Sequence, residues 1–414
     1  MSIFIDVTSS CRSVQNTGVQ RMARKIFSEL SRFTHVRPIS WNIIGNFYVE
    51  LGGTEYRLLT QPFEIRSHPM ARPEFRGQDP FTEFWRFLRR RRIPIEKEVG
   101  PNDVFFVPDI FRDLRRKRLP EFLKQTQARK VAIFHDATDL RLSSVYGDRS
   151  RKSRPYLEAL ALFDLVICVS EEARDDLHYF WKKYGCGRAE TCIEPWPGEF
   201  DGFGVPGHVR AFKAATCRRT RKLENNLVLY VSSFHGRKNH LGLLRAVENL
   251  WRDGLRFELH LIGRNVGMPF NRIVREIWKL QMRGRRLRWL RHVNDEMLLR
   301  AYDDCRFTVY PSLMEGFGLP IAESLAHGKP CVCGGNGALG EVARDGGCLI
   351  VDQTSKHALA AGIKTLLSDE EIYARLSAEA RARKFRSWSD YIAKLLEHLR
   401  LARREASTAV ISKV

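Results

Sequence analysis

Long hydrophobic runs are missing from this chain. None of its 414 residues falls in an apolar stretch of about 18 or more, which leaves no candidate transmembrane helix in the sequence. The amino terminus, Met1-Ser-Ile-Phe-Ile-Asp6, lacks the basic, apolar and small-residue zones of a secretory signal. Cysteine is scarce: there are nine, an odd number, with no Cys-x-x-Cys pair, which favours reduced thiols over a disulfide framework or a structural zinc site. Cys331 and Cys333, on either side of Val332, read as thiols of a buried strand. These absences lead us to expect a cytoplasmic protein. Repeats of 20–50 residues and low-complexity tracts are also absent. Acidic residues are few relative to basic ones, 48 Asp+Glu against 69 Lys+Arg, for a net charge of +21. Such a field favours a polyanionic partner: nucleic acid, an anionic bilayer or phosphorylated small molecules. No zinc-finger spacing, helix-turn-helix signal or aromatic RNP-type strand supports the first, so no nucleic-acid partner is expected.

The chain does have enough apolar residues, 43%, for well-packed cores, and its length suits two domains of roughly 200 residues each. Part of the charge is clustered. Phe81, Phe84, Trp85 and Leu88 recur at helical spacing and are followed by Arg89-Arg-Arg-Arg92. This pattern fits either an interfacial membrane helix or a core-packing helix with a solvated basic end. Arg112 to Arg118 forms a second cluster, with the same two readings.

Ser2 to Thr8 reads as a short apolar strand. The helix opened by Thr17-Gly18 has Val19, Met22, Ala23, Ile26, Phe27 and Leu30 on one face. Strand, Gly-containing loop and amphipathic helix begin a parallel α/β unit. Further strands are predicted at 104–107, 131–134 and 165–169, and helices at 156–162 and 171–184. Pro and Gly gather near 195–207. A second series follows, with strands at 226–232, 256–263, 287–290, 307–310, 330–333 and 347–351. Helices are predicted at 239–253, 295–303 and 321–327, then over 368–404 with a break near Lys384 to Trp388, before a frayed tail. The expected organisation is an α/β protein of two tandem Rossmann-like doubly wound domains, 1–205 and 206–385. The helix after residue 386 would pack back on the first domain. A ligand crevice would lie between the domains at the carboxyl ends of the strands.

Two constellations carry chemistry. In Tyr310-Pro-Ser-Leu-Met-Glu315-Gly-Phe-Gly-Leu-Pro320-Ile-Ala-Glu323, Gly316 and Gly318 permit close backbone approach to a ligand and Pro320 suits the first turn of a helix. Free N–H groups and the helix dipole there favour an anion such as a diphosphate. Glu315 in the loop and Glu323 in the first turn are acceptor-only groups that suit sugar and ribose hydroxyls. A Gly-rich turn with a dipole-favouring Glu is the plain structural alternative. In Val231-Ser-Ser-Phe-His-Gly-Arg237-Lys238-Asn239, two adjacent cations precede a helix, where the dipole disfavours positive charge. An anion held between them would resolve that conflict. Solvated surface cations are the alternative.

Arg237-Lys238-Asn239 and the Glu-x7-Glu run from Glu315 to Glu323 resemble the donor-site motifs of the retaining GT-B glycosyltransferases of family four, in order and in separation. The likeness extends over about 226–385. In the first half, Asp6-Val-Thr, Thr17-Gly-Val-Gln-Arg21 and Phe134-His-Asp-Ala-Thr-Asp139 resemble a bacterial branch associated with mannosyl or related transfer in surface-polysaccharide synthesis. The resemblance implies that Lys238 and Arg237 hold the donor diphosphate, Glu323 the nucleotide ribose and Glu315 hydroxyls of the transferred sugar. It implies that the amides around Phe317, Gly318 and Leu319 bind the leaving phosphate and that Gly18 lets the first loop approach it. His135 would lie near the anomeric centre, although a histidine at a strand end also fits a structural role. Ser232 and Gly236 depart from the usual Gly and Pro, and Gly334-Gly-Asn-Gly337 departs from the usual loop.

The implied activity is retaining, metal-independent transfer of a hexose, mannose favoured, from a nucleotide-diphosphate sugar to a glycan or lipid-linked glycan. The nucleotide-sugar is a substrate; no cofactor is expected. No Asp-x-Asp motif is placed to hold Mg²⁺ on the diphosphate. Competing readings are a nucleotide-sugar epimerase or hydrolase on the same scaffold, and a basic non-catalytic adaptor for anionic membrane or nucleic acid.

Overall fold

The computed structural model of the protein describes residues 1–13, 17–42, 47–60, 98–113, 115, 118–187, 189–198, 226–266, 271–291 and 293–400. The aromatic–arginine segment 81–92 lies outside these residues. The chain divides into two compact units. One comprises Met1–Pro195 and returns at Ser387; the other is Trp196–Arg386.

The first unit is built on a seven-stranded sheet: β1 (Ile3–Asp6), β2 (Val36–Asn42), β3 (Phe47–Glu50), β4 (Val104–Val107), β5 (Arg129–Phe134), β6 (Leu165–Cys168) and β7 (Glu190–Ile193), in spatial order β3-β2-β1-β4-β5-β6-β7. Every pairing is parallel except β2 with β3. Strands β1, β4 and β6 are buried throughout, as their uninterrupted sequences IFID, VFFV and LVIC require of strands covered on both faces. The helix Gly18–Leu30 follows β1, with Thr17 and Gln20 forming a capping box. The helix Glu171–Tyr184 starts where Ser170 accepts a hydrogen bond from the Ala173 amide and stops at left-handed Gly185.

Strands β2, β3 and β7 were not foreseen. Strand β2 contains Pro38, which argues against an inner strand. The carbonyls of His35 and Ile39 point at β1, bonded by the amides of Ile3 and Val7. Pro38, on the alternate phase, therefore turns its nitrogen away from β1, one residue before the pairing of Ile39–Asn42 with β3 begins. No ladder bond is lost.

The second unit has a six-stranded, wholly parallel sheet: β8 (Leu227–Val231), β9 (Glu258–Ile262), β10 (Leu287–Leu290), β11 (Phe307–Tyr310), β12 (Cys331–Cys333) and β13 (Cys348–Ile350), in order β10-β9-β8-β11-β12-β13. Leu243, Leu244 and Val247 of the helix His240–Arg252 join Val228, Tyr230, Leu259 and Leu261 of the strands in its core. Cys331 and Cys333 are buried in β12. The expected elements of this half all occur, within one to two residues of their predicted ends.

The final helix, Trp388–Arg400, belongs to the first unit. Its buried face includes Tyr391, Ile392, Leu395 and Leu399. His398 Nε2 lies 2.6 Å from Glu194 Oε1, and Arg129 Nε donates to the His398 carbonyl at 3.2 Å. The break before it spans residues 383–387. Among the described residues, no helix is long and apolar enough to cross a membrane.

In each sheet the chain leaves one central strand in one direction and later departs from its neighbour in the other. These reversals lie between β1 and β4 and between β8 and β11, where open α/β sheets bind ligands at their carboxyl ends.

Close packing beside the second reversal can be tested at Gly263. It has φ +147° and follows β9, and a Cβ there would sit 1.9 Å from the Ser232 carbonyl oxygen. Gly263→Ala is expected to cost at least about 2 kcal/mol. Gly254→Ala, at φ +86° with no atom within 4 Å of its would-be Cβ, is expected to cost about 1 kcal/mol. Thermal-denaturation midpoints of the full chain should rank wild type above Gly254→Ala above Gly263→Ala.

Candidate functional site

At the β8/β11 reversal, two loops meet. The loop after β8 tightens into a single 3₁₀ turn, Gly236–Lys238. It then passes through Asn239, the one described non-glycine residue with positive φ, at +53°. Asn tolerates this left-handed conformation better than most residues. Its side chain accepts from the Gly242 amide at 3.2 Å and donates to the Gln353 carbonyl at 2.7 Å. Asn239 thereby caps the helix His240–Arg252 and fixes where the two preceding cations point.

Both cations point at Glu315 in the loop after β11. Lys238 Nζ lies 2.5 Å from Glu315 Oε1, and Arg237 Nη1 is paired with Oε2. Tyr310 and Ser312 hydroxyls also donate to Oε1, at 3.0 and 2.5 Å, and Lys238 donates to Tyr310 at 2.7 Å. The loops are further joined by the Leu313 amide on the Arg237 carbonyl and by Arg237 Nη1 on the Met314 carbonyl, at 2.8 and 2.9 Å. Burial acts to raise the Glu315 carboxyl pKa, but the charges of Lys238 and Arg237 and the hydrogen bonds from both outweigh it. Glu315 is therefore held well below the usual carboxylate range. His240, next in sequence after Asn239, is pushed down to about 3 by burial and by Lys238, so it is a neutral ring packed between Tyr230 and Phe234. Two cations and one carboxylate leave this cluster with one net positive charge.

The loop continues through Gly316, Phe317 and Gly318 into the helix Leu319–Ala326. Gly318 has φ +109° and is the helix N-cap, a role barred to most side chains. Phe317 packs against the core of the unit. Pro320 stands in the first turn as expected, and Gly328, at φ +65°, ends the helix. The amide groups that open a helix have no intrahelical acceptors. Glu323 is the fifth residue of the helix, one turn later than the sequence implied. It is buried, with Oε2 accepting from the Tyr302 hydroxyl at 2.7 Å.

The β1/β4 reversal in the first unit has a different character. Asp6 Oδ2 accepts from Arg115 Nη1 at 2.7 Å and from the Tyr48 hydroxyl at 2.9 Å, while Oδ1 accepts from the Thr8 amide and hydroxyl. Asp113 and the Ser9 hydroxyl take further Arg115 donors. Asp109 holds the Ser10 amide and hydroxyl, and burial raises its carboxyl to about 6. Arg24 reaches from the first helix to the carbonyls of Ser10 and Ser13, at 2.7 and 2.6 Å. Arg115 is thus no part of a solvated or membrane-facing cluster, as its neighbours in sequence suggested: it is fully buried and braces the β1 loop. Arg112 is paired with Asp139 at 2.7 Å and donates to the Asp136 carbonyl. Arg118, by contrast, is exposed beside Glu121.

His135, at the end of β5, is buried, with Nε2 2.7 Å from the Pro108 carbonyl oxygen. Burial lowers its pKa, so it is neutral near pH 7. Gly18 is the exposed first residue of its helix. The structure therefore gathers Arg237, Lys238, Glu315, Phe317, Gly318, Leu319 and Glu323 around the end of one sheet, while in the other unit Gly18 opens the helix that follows β1 and His135 follows β5. Sequence reasoning gave no role to Tyr310 or Ser312, and took Asn239 only as part of the Arg237-Lys238-Asn239 motif. Asn239 carried a legible signal, the capping role of Asn before a helix. Tyr310 read only as the last residue of a strand.

A family model described as glycosyl transferases group 1 matches residues 217–383. O-antigen chain mannosyltransferase B of Escherichia coli is 35% identical over 314 residues, 73% of this chain and 79% of that one. The serotype-specific mannosyltransferase WbdA of Escherichia coli is 23% identical over 352 residues; the match spans 80% of this chain but 38% of that longer protein. Among solved structures, sucrose-phosphate synthase from Thermosynechococcus elongatus superposes with a TM-score of 0.62 at 16% identity over 100% of both chains. Anabaena HepE in complex with UDP and glucose does so at 0.57 and 15%, over 100% of this chain and 99% of that one. These structural likenesses establish the fold, GT-B.

The Glu315 cluster generates a pH-dependent prediction. A carboxyl whose folded pKa is depressed below its ordinary 4.5 contributes stability that is complete above that value and is lost as pH falls toward the folded one. Glu315→Gln would also leave buried Lys238 and half-buried Arg237 without their counter-charge, at a cost of about 3 kcal/mol. The variant's deficit in melting temperature should be constant between about pH 8 and 5.5 and shrink below about pH 4.5. A deficit independent of pH down to 3 would contradict the ion-pair assignment.

Proposed function

Because this chain belongs to the glycosyl transferases group 1 family and is a glycosyltransferase of GT-B fold, we propose that it transfers a hexose, mannose favoured, from a nucleotide-diphosphate sugar to a glycan or lipid-linked glycan in surface-polysaccharide synthesis. The observation that carries this reading is the convergence of Arg237, Lys238 and the Gly318-capped helix start at the β8/β11 reversal. The mannosyltransferase names of the relatives support the sugar and the pathway class, and the UDP and glucose in the HepE complex support a nucleotide-sugar donor. A lipid-linked acceptor and a cytoplasmic donor would meet at the inner face of the membrane.

In the proposed reaction a bond forms from an acceptor hydroxyl oxygen to the anomeric carbon, and the bond from that carbon to the diphosphate oxygen breaks. The acceptor proton leaves to the departing diphosphate or to solvent. The anomeric configuration is retained. Charge builds on the leaving diphosphate as the bond lengthens. Arg237 offers a planar fork to it, Lys238 a point charge, and the amides of Phe317, Gly318 and Leu319 a third set of donors. These groups are fixed before the donor arrives: Lys238 by Tyr310 and Glu315, Arg237 by Glu315 and the Met314 carbonyl. In this reading Glu315 has two jobs. Oε1 already takes three protein donors, so its Oε2 edge is the one left to accept a sugar hydroxyl. Glu323, steadied by Tyr302, would hold the ribose. Gly18 would give the β1 loop room to approach the diphosphate, and neutral His135 would lie near the anomeric centre.

Fixed protein cations take the place of a divalent ion here, so activity is expected to persist in EDTA. Loss of turnover in EDTA that Mg²⁺ or Mn²⁺ restores would refute metal independence. Lys238→Arg, whose planar head cannot occupy a point-charge site beside Tyr310 and Glu315, is expected to lower kcat by about 10²–10³-fold. Wild-type turnover in that variant would remove Lys238 from the phosphate role. The decisive experiment is a thermal-shift panel of nucleotide-diphosphate hexoses, followed by assay of the best stabiliser with and without acceptor glycan. Glycan elongation is the expected product; free sugar formed equally well without acceptor would point to a hydrolase.

A further inference from the structure

The helix Arg272–Met282 turns Val274, Ile277 and Leu280 into the core of the second unit. On its outer side it shows Trp278, 43% exposed, and Met282, 88% exposed, one helical turn apart. Cations surround this pair. Between Asn271 and Arg291 the sequence has eight arginines and lysines and one acid, Glu276. Arg272, Arg275, Lys279, Arg283, Arg286 and Arg288 are exposed. Two further carboxylates reach the region: Glu248 pairs with Arg285 at 2.8 Å and with Arg283 at 3.4 Å, and Glu258 with Arg288 at 2.7 Å. Setting aside Arg291, which stacks over the Trp289 ring at 4.4 Å, seven cations against three carboxylates leave an excess of four positive charges. The helix flanks β10, the edge strand of its sheet, two strands away from β8 and its Arg237–Lys238 loop.

The face combines net positive charge with two exposed large apolar side chains. An acidic protein or nucleic acid would satisfy the cations but leaves no reason for two large apolar groups at the centre of the patch. An anionic lipid leaflet satisfies both, with headgroup phosphates for the cations and the interfacial boundary for Trp278 and Met282. We infer that this face docks the protein on an anionic bilayer surface. It holds the second unit to the membrane by a site separate from the donor-binding cluster, whatever the segment 81–92 contributes.

The test is co-sedimentation of the full chain with vesicles of phosphatidylglycerol and phosphatidylcholine, or of phosphatidylcholine alone, at low and high salt. Wild type is expected to pellet with the anionic vesicles, to be released by salt, and to stay in solution with the zwitterionic ones. Trp278→Ser/Met282→Ser and Arg275→Glu/Lys279→Glu should each weaken partition by roughly ten-fold or more. Neither should change the melting temperature or the stabilisation by nucleotide-sugar. The inference fails if wild type ignores anionic vesicles, or if either double variant partitions like wild type. It also fails if wild type binds soluble polyglutamate as tightly as the vesicles and the Trp278/Met282 variant loses nothing on lipid. Partition is measured without turnover, so a failure of the donor-site reading leaves this result interpretable.

Discussion

Glu315 is the group that holds the Arg237–Lys238 cluster of the second unit together. Arg237 and Lys238 are neighbours in sequence, repel one another and are largely withdrawn from water; neither would hold a single geometry there alone. A lone carboxylate at the same depth would give up its charge. Joined, the three form a cluster in which Lys238 and Glu315 are 77 residues apart in sequence but face each other across the gap between adjacent strands β8 and β11. Tyr310 and Ser312 complete the coordination of Oε1. The result is a pair of cations held in one geometry by protein groups, and in the proposed reaction such a pair need not reorganise when the donor diphosphate arrives.

The first unit repeats the topology with the opposite outcome. At its own reversal, Asp6 and Arg115 are matched deep in the protein, and Asp109, Asp113 and Arg24 pin the loop that follows β1 from below. Arg115 spends its donors on protein acceptors. It shapes a loop, whereas Arg237 and Lys238 keep part of their surface open.

A net charge of +21 is therefore not one property. Arg24 and Arg115 serve as internal braces, Arg237 and Lys238 form the prepared cluster, and the arginines around Trp278 lie outside on the sheet edge. Residue type is the same in all three places. Burial and the nearest carboxylate decide which role each one takes.

The parallel α/β class, the strands of the second half and the bounds of the helix after Gly318 could be read from the sequence, because each rests on local pattern: apolar runs for doubly covered strands, helical spacing from Val19 to Leu30, and Pro320 and Gly328 delimiting a helix. The motifs around Lys238 and Glu315 assigned both residues to one site, but not to one ion pair. The sheet order, the inner position of β2 despite Pro38, the burial of Arg115 within a run of arginines, and the placing of Tyr310 and Ser312 on Glu315 were decided only by the tertiary structure. Those outcomes depend on which backbone and which charge arrive from far along the chain, and on whether a polar group finds its partner before water is excluded. Sequence neighbours carry no record of that.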